Sequence, residues 1–479
     1  MNLLLNKHLR GHVTRSFVFC FVILCFLIAF AQAEERDRPN VIVILADDLG
    51  YCDTELYGCE DVSTPNLIRI ADAGVKFTDG YVTSPVCSPS RAALLTGRYQ
   101  QRFGHEFLPP KETDGLPASE VTLADAMRVS DYVTGMVGKW HLGLGDEFNP
   151  TKRGFDEFFG SLGGATDYVD PKRADVKISR PGRPPLPEGP WQGRKDFGVV
   201  LRGLEAVVEK DYLTTAYTRE SLAFIESHRD EPFFLYLPHL AVHQPLQVTK
   251  QYYDQFPHIE DESRRVYAAM TAALDDSVGA ILDSLDEHEL TDNTLLIFVS
   301  DNGAGVADYC TNEPLRMGKQ TLFEGGVRVP FVMQWPGMIP AGETYEHPVS
   351  ILDIFPTVMA AIGGRQAEQG DGVDLVPFLT GERRGQPHKT LYWRSGENWA
   401  IRHGNWKLIH AADRDWLYDL ESDIGELNNR AQDRKGTVRK LRRIHQRWSD
   451  QMMDPAWEAI GVKSSPAFAV DGVQIIWPV

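Results

Sequence analysis

Two places in the chain offer small clusters of hard oxygen donors. Asp47 and Asp48 follow one apolar run, and Asp301 and Asn302 follow another. Neither cluster contains His or Cys, so the donor set suits a hard cation such as Ca²⁺ or Mg²⁺ rather than zinc. An Asp-Asp pair alone more often caps a turn, but two such clusters at one sheet edge would repel each other without a cation. A third feature is Cys87, in Cys87-Ser88-Pro89-Ser90-Arg91 running on to Gly97-Arg98. Ser88 and Pro89 open a helix that Gly97 closes, which puts residue 87 at a helix N-terminus, where free N–H groups favour an anion. Arg91 falls one turn later on the same face. Lys139, His141 and His243 follow further apolar runs and are of types able to bind an anion or move a proton. Taken singly, each reads as a solvated lysine or a loop histidine, and an isolated cysteine reads as an inert core thiol.

The elements that must position these residues alternate between strand and helix. Residues 41–45 form a continuous β-branched run, the pattern of a strand buried on both faces, and it ends at Asp47. A helix follows, with Thr64 as cap, Pro65 at its first position and Gly74 as its stop. Further strands are predicted at 75–81, 132–137, 233–237 and 295–299, and helices at 122–128 and 264–285. The strand at 132–137 runs into Lys139 and His141, that at 233–237 is followed by His243, and that at 295–299 delivers Asp301 and Asn302. This predicts an α/β fold with a large, mainly parallel sheet sandwiched by helices. In such sheets a ligand lies beyond the carboxyl ends of the strands, where four strands here deposit polar residues. From about residue 386 the pattern changes to short aromatic-rich strands at 391–393, 399–402 and 406–409 and a basic helix near 435–452. These predict a C-terminal subdomain with an antiparallel sheet and a helix. Residues 171–195, rich in Pro, Lys and Arg, read as an inserted surface loop.

Composition narrows the function classes. The 479 residues are 43% hydrophobic and 24% charged, with 67 acidic against 49 basic residues and a net charge of −18. Nucleic acid is therefore not an expected partner, and an anionic substrate must be met by a local cluster. Residues 1–33 read as a signal peptide, with Lys7, Arg10 and Arg15 ahead of an apolar run and Ala31-Gln32-Ala33 before Glu34. The run is short for a membrane span, so export without a stable anchor is expected. No Asn-x-Ser/Thr acceptor occurs, which favours a bacterial periplasmic or secreted protein. Among the 6 cysteines, Cys52 and Cys59 are placed to bridge a short loop in an oxidising compartment, and Cys310 has no evident role.

The motifs, taken in order, resemble the sulfatase family. They are Asp47-Asp48-Leu49-Gly50, Cys87 to Arg98, Gly138-Lys139-Trp140-His141-Leu142-Gly143, Ser300-Asp301-Asn302-Gly303, Gly318-Lys319, Glu324-Gly325-Gly326-Val327-Arg328-Val329-Pro330 and Leu417-Tyr418-Asp419-Leu420 with Glu426 and Asn428. One departure is Ala241-Val242-His243-Gln244-Pro245, where the family usually has Pro-His; the family's histidine is assigned to His243 rather than His239. The resemblance implies a catalytic domain at 34–385 and a C-terminal subdomain at 386–479. It implies oxidation of Cys87 to formylglycine (3-oxoalanine) by a separate formylglycine-generating or sulfatase-maturating enzyme. It places Asp47, Asp48, residue 87, Asp301 and Asn302 on the metal. Arg91 would steady the hydrated aldehyde, Lys139 and Lys319 would grip sulfate, and His141 would deprotonate the hydroxyl that expels sulfate. His243, assisted by Lys319, would protonate the leaving alcohol. The implied activity is hydrolysis of a sulfated carbohydrate or polysaccharide fragment. The alternatives are a phosphomonoester or phosphonate hydrolase of the same superfamily, and a non-catalytic binder of sulfated glycans if Cys87 stays unconverted. His105, Arg98, Trp393 and Arg394 are candidate contacts for a sulfated sugar, against which a surface or packing role weighs at least equally.

Overall fold

The computed structural model describes residues 38–181, 189, 190, 192–195, 198–364, 370–459 and 467–479, so the expected signal peptide lies outside the described residues. A ten-stranded sheet is built in chain order from β1 (Asn40–Ala46), β2 (Gly74–Phe77), β3 (Val133–Lys139), β4 (Glu157–Ser161), β5 (Val200–Arg202), β6 (Glu205–Val207), β7 (Phe233–Pro238), β8 (Thr294–Ser300), β9 (Phe331–Gln334) and β10 (Glu343–Tyr345). Their spatial order is β10-β2-β9-β8-β1-β7-β3-β4-β5-β6. The central run from β8 to β4 is parallel, and β9 and β5 flank it antiparallel.

The strand period explains the layers. In β1, Val41, Val43 and Leu45 enter one core while Ile42, Ile44 and Ala46 enter the other. Successive side chains of a strand point to opposite faces, so a strand covered on both sides reads as unbroken apolar sequence. Fully burying each such side chain contributes about 1.5–3 kcal/mol. The first face is covered by α2 (Cys87–Thr96) and α3 (Leu123–Val129); the second by α1 (Pro65–Asp72), α4 (Leu213–His228) and α5 (Glu262–Glu287). The helix α6 (Ile354–Ala361) also lies on the first face.

Three local expectations differ from the structure. Thr64 does not cap α1 with its side chain, which accepts instead from the Glu55 N–H at 3.0 Å. The cap comes from Asp275 of α5, which accepts the N–H groups of Asn66 at 3.0 Å and Leu67 at 2.9 Å. A tertiary carboxylate thus satisfies the orphan donors of the helix start. Within 171–195, Val176–Ser179 is a strand, paired antiparallel with Leu246–Thr249. Cys52 and Cys59 are both free thiols rather than a bridge, and the Cys59 thiol contacts Asp61 at 3.1 Å.

The C-terminal region forms a four-stranded antiparallel sheet of β11 (Thr390–Ser395), β12 (Asn398–His403), β13 (Trp406–Ala411) and β14 (Arg414–Asp419). The strand β14 adds a fourth to the three read from sequence. Helix α7 (Lys435–Ser449) packs on this sheet, and a hairpin of β15 (Ala467–Val470) and β16 (Val473–Ile476) ends the chain. This region shares the first core of the large sheet through Leu391, Trp393, Ile409 and Tyr418. Buried charge joins them as well: Lys407 meets Glu324 and Glu426, and Arg402 meets Asp79. Among the described residues no helix is long and apolar enough to cross a membrane.

Candidate active site

Four parallel strands end at one level. Ala46 of β1 is opposite Ser300 of β8, and Leu45 is opposite Pro238 of β7. Asp47 and Asp48 therefore emerge beside Asp301 and Asn302. The loop after β7 clamps the pair, with the Asp47 N–H donating to Ala241 O at 2.9 Å and the Val242 N–H to Asp47 O at 2.8 Å. Asp48 has φ 60°, a left-handed turn that aspartate tolerates better than most residues, and it sends the second carboxylate away from the strand direction. His141 has φ 59°. Its ring fits because residue 164 is glycine: a Cβ there would lie 2.5 Å from the imidazole.

Cys87 opens α2 as expected, with Gly97 as the left-handed stop. The whole helix is buried, so its polar residues are all engaged. The Cys87 Sγ is 3.2 Å from His141 Nδ1, and Ser88 Oγ donates to the His141 carbonyl at 2.7 Å. Arg91, fully buried, donates through Nε to Asp301 Oδ2 at 2.9 Å and through Nη1 to the Lys139 carbonyl at 2.7 Å. Lys139 pairs with Asp47 at 2.5 Å and Lys319 with Asp48 at 2.6 Å. Asn302 Nδ2 donates to Asp48 Oδ1 at 2.7 Å. His243 turns its Nε2 toward Asp48 Oδ2, 3.6 Å away, while its Nδ1 donates to the Gln244 carbonyl. His239 points elsewhere, into a buried contact with Ser277 at 3.0 Å.

Burial and crowding set the charges. Burial, with Asp47 adding to it, pushes Asp301 up to about 6. Burial also opposes ionisation of Asp48, but Lys319 and His243 outweigh it and hold that carboxyl well below the usual range. Burial lowers His243 to about 3 against the pull of Asp48, and His141 falls well below 6.5 through burial and then Lys139. Burial raises the Cys87 thiol, so the unmodified side chain is neutral rather than the thiolate a cysteine nucleophile requires.

The donor set fits a hard cation. Asp47 Oδ1 and Asn302 Oδ1 are buried acceptors without a donor, an uncommon state for buried polar atoms. Cys87 Sγ and carboxylate oxygens of Asp47 and Asp301 lie within 4.8 Å of one another. Three carboxylates are matched by Arg91, Lys139 and Lys319, so a divalent cation would turn a neutral cluster into a positive one that attracts an anion.

The floor formed by Asp48, His243 and Lys319 opens into a cleft of about 470 Å³. Its walls include Gln244, Tyr309, Cys310 and Phe468, none of which the sequence reading assigned to the site. Gln244 Nε2 donates to the Tyr309 hydroxyl at 2.6 Å. No local signal marks these positions; they come from two distant loops and from the C-terminal hairpin strand that holds Phe468. The four candidate sugar contacts are placed otherwise. Trp393 is 1% exposed and its indole N–H is used by the Val82 carbonyl at 2.7 Å. His105 is fully buried against Ser88 at 2.7 Å. Arg394 is bound to Glu106 at 2.7 Å and Arg98 to Glu120, and none of the four lines the cleft. His105 and Trp393 are too deeply buried to meet a substrate, whereas Arg98 and Arg394 are partly exposed but lie outside the cleft.

Comparison with known proteins agrees with this geometry. The sulfatase family model matches residues 39–364, and a model described as N-sulphoglucosamine sulphohydrolase, C-terminal, matches residues 316–453. Human N-acetylgalactosamine-6-sulfatase is 37% identical over 359 residues, which span 71% of this chain and 66% of that protein. Bovine arylsulfatase A is 36% identical over 394 residues, 77% of this chain and 74% of its own. The crystal structure of Ps i-CgsB in complex with k-i-k-neocarrahexaose superposes with a TM-score of 0.79 at 34% identity, covering 88% of this chain and 94% of that one. A phosphonate monoester hydrolase of Agrobacterium radiobacter shares the fold, with a TM-score of 0.63 at 22% identity over 86% of this chain and 95% of its own. On the ordered motifs, the fold and these matches, the chain belongs to the sulfatase family, whose members are sulfuric ester hydrolases.

Proposed function

We propose that this protein removes sulfate from a sulfated carbohydrate, with residue 87 working as formylglycine and Ca²⁺ held by Asp47, Asp48, Asp301 and Asn302. The observation that carries this reading is the convergence near Cys87 of the buried carboxylates Asp47 and Asp301 and the partly exposed Asp48 with three cations, with oxygens of Asp47 and Asn302 left without donors. Hydrated formylglycine would supply one hydroxyl for attack on sulfur and a second for sulfate release, and a cation held by these residues would supply positive charge for the anionic substrate. The remaining work falls to the chain's own side chains.

Arg91 ties Asp301 and the Lys139 carbonyl together and so fixes residue 87 against the sheet edge. Asp301 helps take a proton from the attacking group. His141 Nδ1, 3.2 Å from the residue 87 side chain, is within reach of the proton that must leave when sulfate departs. Lys139 and Lys319 bind sulfate oxygens. The Gln244 carbonyl holds the proton of His243 on Nδ1 and leaves Nε2 facing the cleft, so His243 acts as acid only once Nε2 has taken up a second proton, which it then passes to the leaving alcohol oxygen with Lys319 assisting. A carbohydrate is supported by the names of the relatives and by the neocarrahexaose held in the Ps i-CgsB complex. The amino-terminal segment supports export to a periplasm or the exterior, with conversion by a maturation enzyme in the producing cell.

The test is tryptic mass spectrometry of the peptide bearing residue 87 from the native host, alongside sulfate release from defined sulfated saccharides with and without EDTA. Formylglycine and EDTA-sensitive, Ca²⁺-restored release are expected. An unmodified thiol in a chain that binds but does not cleave would overturn the reading in favour of a glycan-binding protein. Faster turnover of phosphomonoesters would favour the phosphatase alternative.

A further inference from the structure

Helix α7 carries charge out of keeping with the rest of the molecule. Residues 434–449 contain seven Lys or Arg and no Asp or Glu, in a chain whose net charge is −18. Val438, Leu441, His445 and Trp448 face inward and are buried. Lys435, Arg439, Arg443 and Arg447 are exposed at four-residue spacing on the opposite side, a row about 18 Å long, with Lys440 beside it. None of these five forms an ion pair among the described residues. Like charges at this spacing destabilise a helix, and folding offers no offset, because no carboxylate answers them. A groove of about 660 Å³ adjoins the amino-terminal half of the row, where Lys435 and Arg439 line it together with Arg442. Of its three carboxylates, Asp415 is taken by Arg442 at 2.6 Å and Asp471 by Arg316 at 2.8 Å, leaving Asp413 as the one acidic group that faces the cations there.

We propose that this face of α7 is an exosite for a linear sulfated polysaccharide, separate from the catalytic cleft. The choice of occupant rests on the carbohydrate reading above and on charge complementarity: a regularly sulfated chain presents anions along a line, as the row presents cations. A membrane is disfavoured because the apolar side of the helix is spent on the protein core, leaving nothing to insert. Single-stranded nucleic acid is disfavoured because the exposed row has no aromatic ring for bases to stack on. The exosite would hold a polymer near the cleft between cleavage events, which matters for a long substrate and not for a small one.

The experiment compares the full chain with the variant Arg439→Glu/Arg443→Glu/Arg447→Glu. Titrations use dextran sulfate, with unsulfated dextran, random single-stranded DNA and phosphatidylserine vesicles as comparisons. The wild type should bind dextran sulfate, and the variant should bind it at least about tenfold more weakly with a shallower dependence on salt. Turnover of nitrophenyl sulfate should be unchanged, and the unfolding midpoint unchanged or raised. Equal affinity of the two proteins overturns the proposal, as does residual binding that inorganic sulfate displaces, since the polymer then sits in the cleft. Equally tight binding of DNA or vesicles by the wild type overturns the commitment to a sulfated glycan. Failure of the sulfatase reading would appear independently, in the mass of residue 87 and in nitrophenyl sulfate turnover.

Discussion

Replacing Lys407 with methionine tests whether buried charge locks the C-terminal sheet to the site. Lys407 Nζ lies 2.8 Å from Glu324 Oε1 and 3.0 Å from Glu426 Oε1, and all three side chains are 0% exposed. Glu426 also accepts the Glu324 N–H at 2.6 Å. The turn that Glu324 opens carries the Gly326 carbonyl, which accepts the N–H of Gly303 at 3.2 Å, next to Asn302. Methionine keeps the stem but leaves two carboxylates facing each other away from water. Burial already raises Glu426 to about 7, with Lys407 opposing and Glu324 adding to the shift, so one carboxyl would take up a proton. Removing one partner of a buried ion pair costs about 3–5 kcal/mol. Glu324 keeps Arg328 at 3.3 Å, which points to the lower end of that range. Thermal unfolding should register the loss as a midpoint lowered by about 3 °C, and urea unfolding as a lowered midpoint concentration. Nitrophenyl sulfate turnover should fall too, because the Gly303 contact loosens. Adding Glu426→Gln should recover part of the stability by removing the second charge. A Lys407→Met chain within about 1 kcal/mol of wild type would refute the reasoning, since only an unburied or already neutral pair loses so little.

Three further outcomes are expected. Cys87→Ser should retain at most one equivalent of sulfate and fail to turn over, because serine has no second hydroxyl; intact-protein mass spectrometry after incubation with an aryl sulfate reads this, and steady turnover would sink it. His243→Ala should slow alkyl sulfate esters by roughly 10²–10⁴ but nitrophenyl sulfate far less, since nitrophenolate leaves without a proton; equal losses on both would remove His243 from the acid role. Burial works to lower the pKa of His388, but Asp353, 2.7 Å away, outweighs it and raises the value above 6.5. The pair's stabilisation is therefore complete below pH 6.5 and is lost as pH rises through the raised value, so His388→Gln should flatten that fall in urea-unfolding profiles taken on either side of it. A slope unchanged by the substitution would exclude His388 as its source.

Much of the fold and site was legible in the residues because the signals are local. A strand covered on both faces must be apolar at every position, so β1, β7 and β8 could be read from their own sequences. Their carboxyl ends had to carry Asp47, His243 and Asp301, and the Ser88-Pro89 start and Gly97 stop had to place Cys87 at a helix N-terminus. Order along the chain could not say which residues meet. Strand order brought β8 beside β1 across more than two hundred residues, and only that pairing makes Asp48 and Asn302 neighbours. The sequence could not see that Thr64 would lose its cap to Asp275 or that Trp393 would be spent on the core. Nor could it show Tyr309 and Phe468 meeting at the cleft. Periodicity and capping are fixed by near neighbours, and so the sequence by itself determined the elements and the chemistry at their ends. Burial, pairing and charge balance depend on distances between remote segments, and those the tertiary structure decided.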